Sequence, residues 1–509
     1  MGSSQRQPGT AQSRQQRRPG RVASLAGPGP HPDKHPLQPF RPLSATADPE
    51  PLIVPRAEHS ISRSNISPNA LKVLYRLRDA GHAAYLVGGG VRDLLLGHEP
   101  KDFDVATDAT PEEVRQVFRN CRLIGRRFRL AHVFFGPEII EVATFRGSAI
   151  PAGQDGTDDD VARTQNGMIL RDNVYGSIAE DALRRDFTVN ALYYNIADFS
   201  VVDYAGGLAD LEAGRLRLIG DDVAARYRED PVRMLRAVRF ACKLGFMIDG
   251  ACEAPLADLA PLLGEVPAAR LFEEVLKLFH AGYGLHAFEK LRHYGLFAQL
   301  FPATDACLAR EEHAFPMVFV GRGLDNTDRR VLDGKSVVPP FLFAVLLWEP
   351  VRLRYQELLA GGTPWADAIA LASHEVASTQ QRHVAIPKRF GMPMREIWSL
   401  QPRLERRQGR RPMALLGHPR FRAAYDFLLL RAEAGEVDPE LADWWTQFQD
   451  ANAGDRAKMT GANKKRRPRR RKTKKASAGG AGSSSGGGDG GGESVAGMQG
   501  RATGGDGDG

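Results

Sequence analysis

Val87-Gly-Gly-Gly-Val-Arg-Asp-Leu-Leu-Leu-Gly-His-Glu-Pro-Lys-Asp-Phe-Asp-Val-Ala-Thr107 is the stretch on which the reading of the whole chain turns. It opens with the glycine turn Gly88-Gly89, passes through a short helical pattern from Val91 to Leu96, closes at Gly97 and leads into a strand carrying Asp102 and Asp104. Alternate residues of a strand share a face, so both carboxylates are expected to point one way while Phe103 and Val105 point into the core. Two acids side by side repel, and each resists ionising unless a cation sits between them. Mg²⁺ takes oxygen ligands and commonly keeps one or two carboxylates together with substrate phosphates. The pattern therefore points to a metal site facing a nucleoside triphosphate. A bare Asp-x-Asp also ends solvated strands, fills calcium loops and occurs in sugar transferases. The glycine turn and helix ahead of this one set it apart.

On the N-terminal side, Ser67-Pro68 reads as a helix cap with proline at the first helical position. Leu71, Leu74 and Leu77 form its apolar stripe, Gly81 ends it, and Ala83 to Val87 is a strand running into the glycine turn. On the C-terminal side, Thr110 and Glu113 form a capping box around Pro111. Arg129 to Phe135 and Glu138 to Phe145 follow as two strands joined at Gly136-Pro137. From about Asp210 to residue 450 helical periodicity dominates, with breaks expected near Pro302 and from Leu324 to Pro340. The fold class is thus α+β: a small mixed-sheet head followed by an extended all-helical neck and body. The expected divisions are an N-terminal arm at 1–50, a head at 51–215, a neck at 216–285, a body at 286–455 and a tail at 456–509.

Composition limits what this chain can be. The 509 residues suffice for several domains and a sizeable core. The net charge of +8 is unevenly placed, because residues 464–475 hold ten of the 69 basic residues; the other 59 are balanced by 61 acidic ones. That run, with Lys464, Lys465, Arg466, Arg467, Arg469, Arg470, Arg471 and Lys472 at its centre, suits an RNA phosphate backbone better than the alternative, a solubility tail or charged linker. Residues 1–50 are rich in Pro, Gly, Gln and Arg, and residues 476–509 in Gly, Ser and Ala, so both ends are expected to be disordered. Cys121, Cys242, Cys252 and Cys307 form no Cys-x-x-Cys pair, which fits a reducing, cytoplasmic setting. No secretory h-region is visible, and the longest apolar run, Phe341 to Trp348, is too short to span a bilayer.

Two further segments carry candidate chemistry. Two-metal catalysis usually enlists a third acid. Glu141 sits on a strand expected to neighbour the Asp pair, although it could be an exposed strand carboxylate. Asp186, in Arg-Arg-Asp-Phe-Thr-Val-Asn-Ala-Leu192, is the other candidate, although it could simply cap a helix through Leu192. No P-loop is present: Gly334-Lys335-Ser336 ends like one, but Arg329 stands where its first glycine belongs. Phosphate binding is therefore expected at Gly88, Gly89 and Arg92, through backbone N–H groups at a helix start. In Arg226-Tyr-Arg-Glu-Asp-Pro-Val-Arg-Met-Leu-Arg-Ala-Val-Arg-Phe240, Met234, Leu235, Val238, Ala241 and Cys242 share a buried face. The plain reading there makes Asp230 a cap, Pro231 the first helical residue, and Arg233, Arg236 and Arg239 a solvated side.

From about Arg56 to Gln449 the chain resembles the nucleotidyltransferase family that holds bacterial poly(A) polymerases and bacterial CCA-adding enzymes. The Gly-Gly turn, helix and Asp-x-Asp match that family's head. The resemblance implies Asp102 and Asp104 as catalytic acids holding two Mg²⁺ or Mn²⁺ ions, and ATP as substrate. It favours Asp186 over Glu141 as the functional third acid. The segment through Asn190 resembles the motif lining the nucleotide's sugar and phosphates. Glu229-Asp-x-x-Arg resembles the family element that reads a base edge without a template, which would fall here to Asp230 and Arg233.

Leu123-Ile-Gly-Arg-Arg-Phe-Arg-Leu-Ala-His-Val133, with Arg126 and Arg127, resembles the element that separates the polymerase branch from the CCA-adding branch. No His-Asp dipeptide suggests an appended phosphohydrolase domain. The implied protein is a cytoplasmic, monomeric enzyme that adds AMP to RNA 3′ ends, with tails that promote RNA decay and RNA-decay proteins as candidate partners. The alternatives are tRNA CCA addition and a non-catalytic RNA-binding scaffold.

Overall fold

A computed structural model describes residues 50–125, 129–147, 161–163, 169–172, 174–310 and 315–461. The head is built on one eight-stranded sheet. Its strands are β1 (Leu52–Val54), β2 (Ala84–Val87), β3 (Asp104–Thr107), β4 (Cys121–Ile124), β5 (Leu130–Phe135) and β6 (Glu138–Thr144). A separate hairpin of β7 (Val161–Arg163) and β8 (Ile169–Asp172) comes next, then β9 (Leu192–Asn195) and β10 (Val201–Asp203) rejoin the sheet. The order is β1-β10-β9-β2-β3-β6-β5-β4, antiparallel throughout except for the parallel pair β3–β6.

Local chemistry sets the helices that frame it. In α1 (Pro68–Asp79) the Ser67 hydroxyl accepts from the Asn69 N–H, and Val73, Leu74 and Leu77 are buried. Gly81, at φ 91°, turns the chain back toward β2 with a backbone that L side chains disfavour. The helix α2 (Gly89–Leu95) follows the glycine turn, and α3 (Pro111–Val117) starts with both halves of the Thr110–Glu113 capping box formed. Leu86, Val105, Val133 and Val142 pack with the apolar side of α1 on one face of the sheet. On the other face Val87, Ala106, Phe145 and Tyr193 pack with Ala182 of α4 (Ile178–Arg184).

Beyond α5 (Gly207–Glu212) the chain is almost entirely helical, starting with α6 (Val223–Glu229) and α7 (Val232–Leu244). The apolar side of α7 joins a core that continues through Phe279, Phe297, Phe343 and Trp348. Its arginines are not the solvated side expected: Arg233 and Arg239 are only 11% and 12% exposed, each beside a glutamate. The break expected from Leu324 to Pro340 is shorter. A helix runs from Phe315–Leu332, because Phe319, Val320 and Leu324 are buried against the body, and only 333–338 is irregular. The break near Pro302 is real, with proline opening a new helix at Pro302–Leu308. All four cysteines are free. Among the described residues, no helix is long and apolar enough to cross a membrane.

Candidate active site

A cavity of about 320 Å³ opens where the start of β3, the start of α2 and one side of α7 meet. Gly88, Gly89, Arg92, Asp102, Asp104, Asp186 and Asn190 all line it, so residues that are up to about a hundred positions apart converge as the sequence suggested. Gly88 makes the convergence possible. Its φ of 75° and ψ of −134° suit glycine alone, and they turn the chain out of β2 into α2. Gly90 packs α2 directly against the acid loop, its Cβ position lying 3.4 Å from the Asp102 carbonyl oxygen.

The Asp pair departs from expectation in one respect. Val87 pairs with Asp104, and β3 begins there. Because Gly88 leads β2 away at that point, Asp102 lies beyond the end of the ladder, on the loop before the strand. Glu141 lies directly across the parallel pair from Asp104, in register and on the same face. Burial, Glu141 and Asp102 together push the Asp104 carboxyl up to about 6, against the pull of Arg185. Among the described residues no group of three His, Cys, Asp or Glu is arranged to hold a metal. Two crowded, electron-rich carboxylates are nevertheless what a Mg²⁺ site completed by substrate phosphates requires, so the donor set fits.

Asp186 is in a different state. It takes Arg236 in a close pair, with Nε at 2.6 Å and Nη2 at 2.5 Å, and accepts from the Phe187 N–H at 2.8 Å. Burial would raise it, but Arg236 and these donors hold it down to about 2. It caps no helix through Leu192: Thr188–Asn190 is a single 3₁₀ turn, and β9 follows. Arg92 is 1% exposed, with Nε and Nη2 at 2.8 and 2.6 Å from Asp93 and Nη1 bonded to Asn190. Lys243 reaches the other Asp93 oxygen at 3.1 Å. Arg92 therefore braces the cavity floor as well as lining it.

Asp230 and Arg233 are not among the cavity's lining residues. Arg270 grips Asp230 through both oxygens, at 2.8 and 2.7 Å. Arg233 donates to Glu229 at 3.0 Å and to the Arg226 carbonyl at 2.6 Å. Pro231 precedes the first helical residue, Val232, rather than being it. Arg126, Arg127 and the basic run containing Lys464, Lys465, Arg466, Arg467, Arg469, Arg470, Arg471 and Lys472 lie outside the described residues.

Four cations also line the cavity: Lys101, Arg185 and Lys243, which were not expected there, and Arg236, which was expected on a solvated side. Arg236, Phe240 and Lys243 are spaced four and three apart, which puts them on one side of α7. That spacing was the available signal.

Comparison with known proteins bears on these features. The chain matches three family descriptions: the poly A polymerase head domain over 84–217, a probable RNA and SrmB-binding site of polymerase A over 245–308, and the polymerase A arginine-rich C-terminus over 361–477. It is 54% identical over 409 residues to poly(A) polymerase I of Salmonella typhi, covering 80% of this chain and 87% of that one. A CCA-adding enzyme of Lactobacillus gasseri is 36% identical over 228 residues, covering 45% of this chain and 54% of the other. In fold, the chain resembles a solved tRNA-processing enzyme in an apo form, with a TM-score of 0.55 and 22% identity, over 79% of this chain and 99% of that one.

Proposed function

From the premise that this chain belongs to the bacterial poly(A) polymerase family, we propose how its cleft performs template-independent addition of AMP to RNA 3′ ends. In that reaction the RNA 3′-oxygen forms a bond to the α-phosphorus of ATP, the bond to pyrophosphate breaks, and the hydroxyl proton is lost. Asp102 and Asp104 would hold two divalent ions, Mg²⁺ or Mn²⁺, which supply charge neutralisation at the attacking and leaving oxygens when bound. Glu141, in register with Asp104, supports that acid edge.

The opposite wall binds the triphosphate. The first turn of α2 offers backbone N–H groups with no helical acceptor of their own. Lys243, Arg185 and Arg236 add positive charge from two further elements. Asp186 acts by holding Arg236 in that wall, which gives the acid favoured by the family resemblance a positioning role at the phosphates. Asp230 and Arg233 select the base by family resemblance, with Arg270 and Glu229 fixing their orientation. The tails so made mark RNA for decay, and decay proteins are the expected partners.

The single observation that carries the polymerase over the CCA-adding reading is the 54% match across 80% of the chain, against a match over less than half of it to the CCA-adding relative. The test is incubation of purified protein with a short RNA and each nucleotide in turn. A long ladder with ATP alone supports the reading, and a short CTP-dependent addition overturns it.

A further inference from the structure

One row of side chains crosses the head sheet from the cavity to its outer edge. Asp104 on β3 is in register with Glu141 on β6, Glu141 with His132 on β5, and His132 with Arg122 on β4. In-register neighbours lie on one face, at about 4.8 Å per strand, so the row runs roughly 14 Å out from the catalytic acid. The opposite face of these strands is sealed, with Val133, Ile140 and Val142 in the core. The face of the row is not: Arg122 is exposed and Ile139 is 42% exposed.

Its chemistry is specific. The Phe134 ring lies on this face, with the Arg122 guanidinium 5.4 Å from its centre and the His132 ring 6.3 Å away. Ile139, in register with Phe134, extends the flat apolar ground. The hairpin that carries the row is basic: among its described residues Arg119 and Arg129 flank β4 and β5, Arg122 lies within β4, and neither strand contains an acid. A sheet face that combines an aromatic ring, a neighbouring imidazole and guanidinium groups is suited to unpaired nucleotides, whose bases stack on rings and whose phosphates pair with arginine. An acidic peptide would satisfy the arginines, but it would meet Glu141 and Asp104 at the inner end of the row. A nucleic acid end brings a neutral hydroxyl there instead.

We propose that this face seats the last nucleotides of the RNA, stacked over Phe134 with a phosphate on Arg122, so that the 3′-hydroxyl passes the His132–Glu141 pair and reaches Asp104. The inference rests on the reading of Asp104 as a catalytic acid for RNA ends.

The test uses the full chain. An RNA carrying 4-thiouridine as its 3′-terminal nucleotide is photo-crosslinked and the attached peptide mapped. In parallel, KM for RNA and KM for ATP are measured for Arg122→Glu, Phe134→Ala and Phe134→Tyr. Crosslinks within 119–141 support the proposal, together with a KM for RNA raised about tenfold by the first two variants, an unchanged KM for ATP and recovery in Phe134→Tyr. Crosslinks confined to the helical body, or an unchanged KM for RNA in Arg122→Glu, overturn it. The crosslink needs no turnover. A protein that fails to adenylate but still crosslinks at 119–141 would therefore contradict the function while leaving the surface standing.

Discussion

On the sheet side of the cleft Asp102, Asp104 and Glu141 crowd one edge, with Asp104 pushed up to about 6. On the helix side Asp186, no less buried, is gripped by Arg236 and held down to about 2. Both walls carry buried acids, but only one supplies its own cations. A wall with matched charges holds its shape without a ligand, so it can be preorganised for phosphates. A wall with unmatched acids stores a deficit that a bound cation relieves. The difference assigns stability mainly to the α7 wall and chemistry mainly to the sheet wall. Breaking each in turn should separate the two.

The largest effect is expected from Asp104→Asn. Loss of one charged ligand at the reacting centre should lower kcat by roughly 10³-fold or more, on the scale of a lost electrostatic catalytic group. The fold should not suffer, because the substitution removes one of three crowded like charges. Measured kcat together with a thermal melt checks this. A variant with a clearly lower melting temperature would mean that Asp104 is structural.

Asp186→Asn should do the reverse and weaken the fold first. It leaves Arg236 with its main partner gone. Complete burial would make that loss about 3–5 kcal/mol, but Arg236 is 30% exposed, so roughly 2 kcal/mol is expected. Urea unfolding should show a lower midpoint, and Arg236→Gln added to Asp186→Asn should cost less than the sum of the two single changes. The same pair sets an acid limit. The folded value of Asp186 lies below its unfolded value of about 3.9, so its contribution is full above about pH 4 and is lost as pH falls toward 2. Asp186→Asn should therefore flatten the stability profile between pH 4 and 2. A profile unchanged from that of the unaltered protein would remove the pair from the account.

Much of this division was legible in the sequence, and what was missed has a common cause. The capping box at Thr110, the helix start at Ser67 and the Asp102–Asp104 pair depend on neighbours a few positions away, and local chemistry decides them. The grip of Arg236 on Asp186 spans 50 positions, and that of Arg270 on Asp230 spans 40. No periodicity announces such pairings, so Arg236 read as one more solvated cation. Glu141 could be placed on a neighbouring strand, but its registration with Asp104 rests on a parallel crossover that joins β3 to β6 through α3, β4 and β5. The helix across Leu324 was read as part of a break, but long-range packing holds it: Val345 lies close against Gly323, which needs a residue without a Cβ there.

Glu141→Gln sharpens the comparison within the sheet wall. Glu141 is about half exposed, close enough to raise Asp104, and 3.2 Å from His132. If it supports the acid edge, kcat should fall about tenfold, less than the roughly 10²-fold or more of a group that itself transfers a proton at the reacting centre, with stability nearly unchanged. If Asp186→Asn loses more kcat than its loss of stability explains, and Glu141→Gln loses none, the supporting acid is Asp186 and the two walls share the chemistry.

The smallest effect concerns base choice, beyond the helix wall. Asp230 can face a nucleobase only with the oxygens that Arg270 leaves available, since Arg270 already donates to both. Each carboxylate oxygen has more than one lone pair, so a second donor can still be accepted, but its direction is set by the first. Arg270→Gln keeps a hydrogen-bonding group and removes the charge and the two-point grip. Asp230 would then sample more than one orientation, and a base edge reads orientation. The expected loss is about threefold in the preference for ATP over CTP, less than the roughly 1–3 kcal/mol of a whole base contact, because the contact is loosened and not removed. The measurement is kcat/KM for both nucleotides in the variant and in the unaltered protein. Equal losses for ATP and CTP would show that Arg270 and Asp230 only tie the turn before α7 to the helix Ala268–Phe279, and that selection among bases lies nearer the cavity.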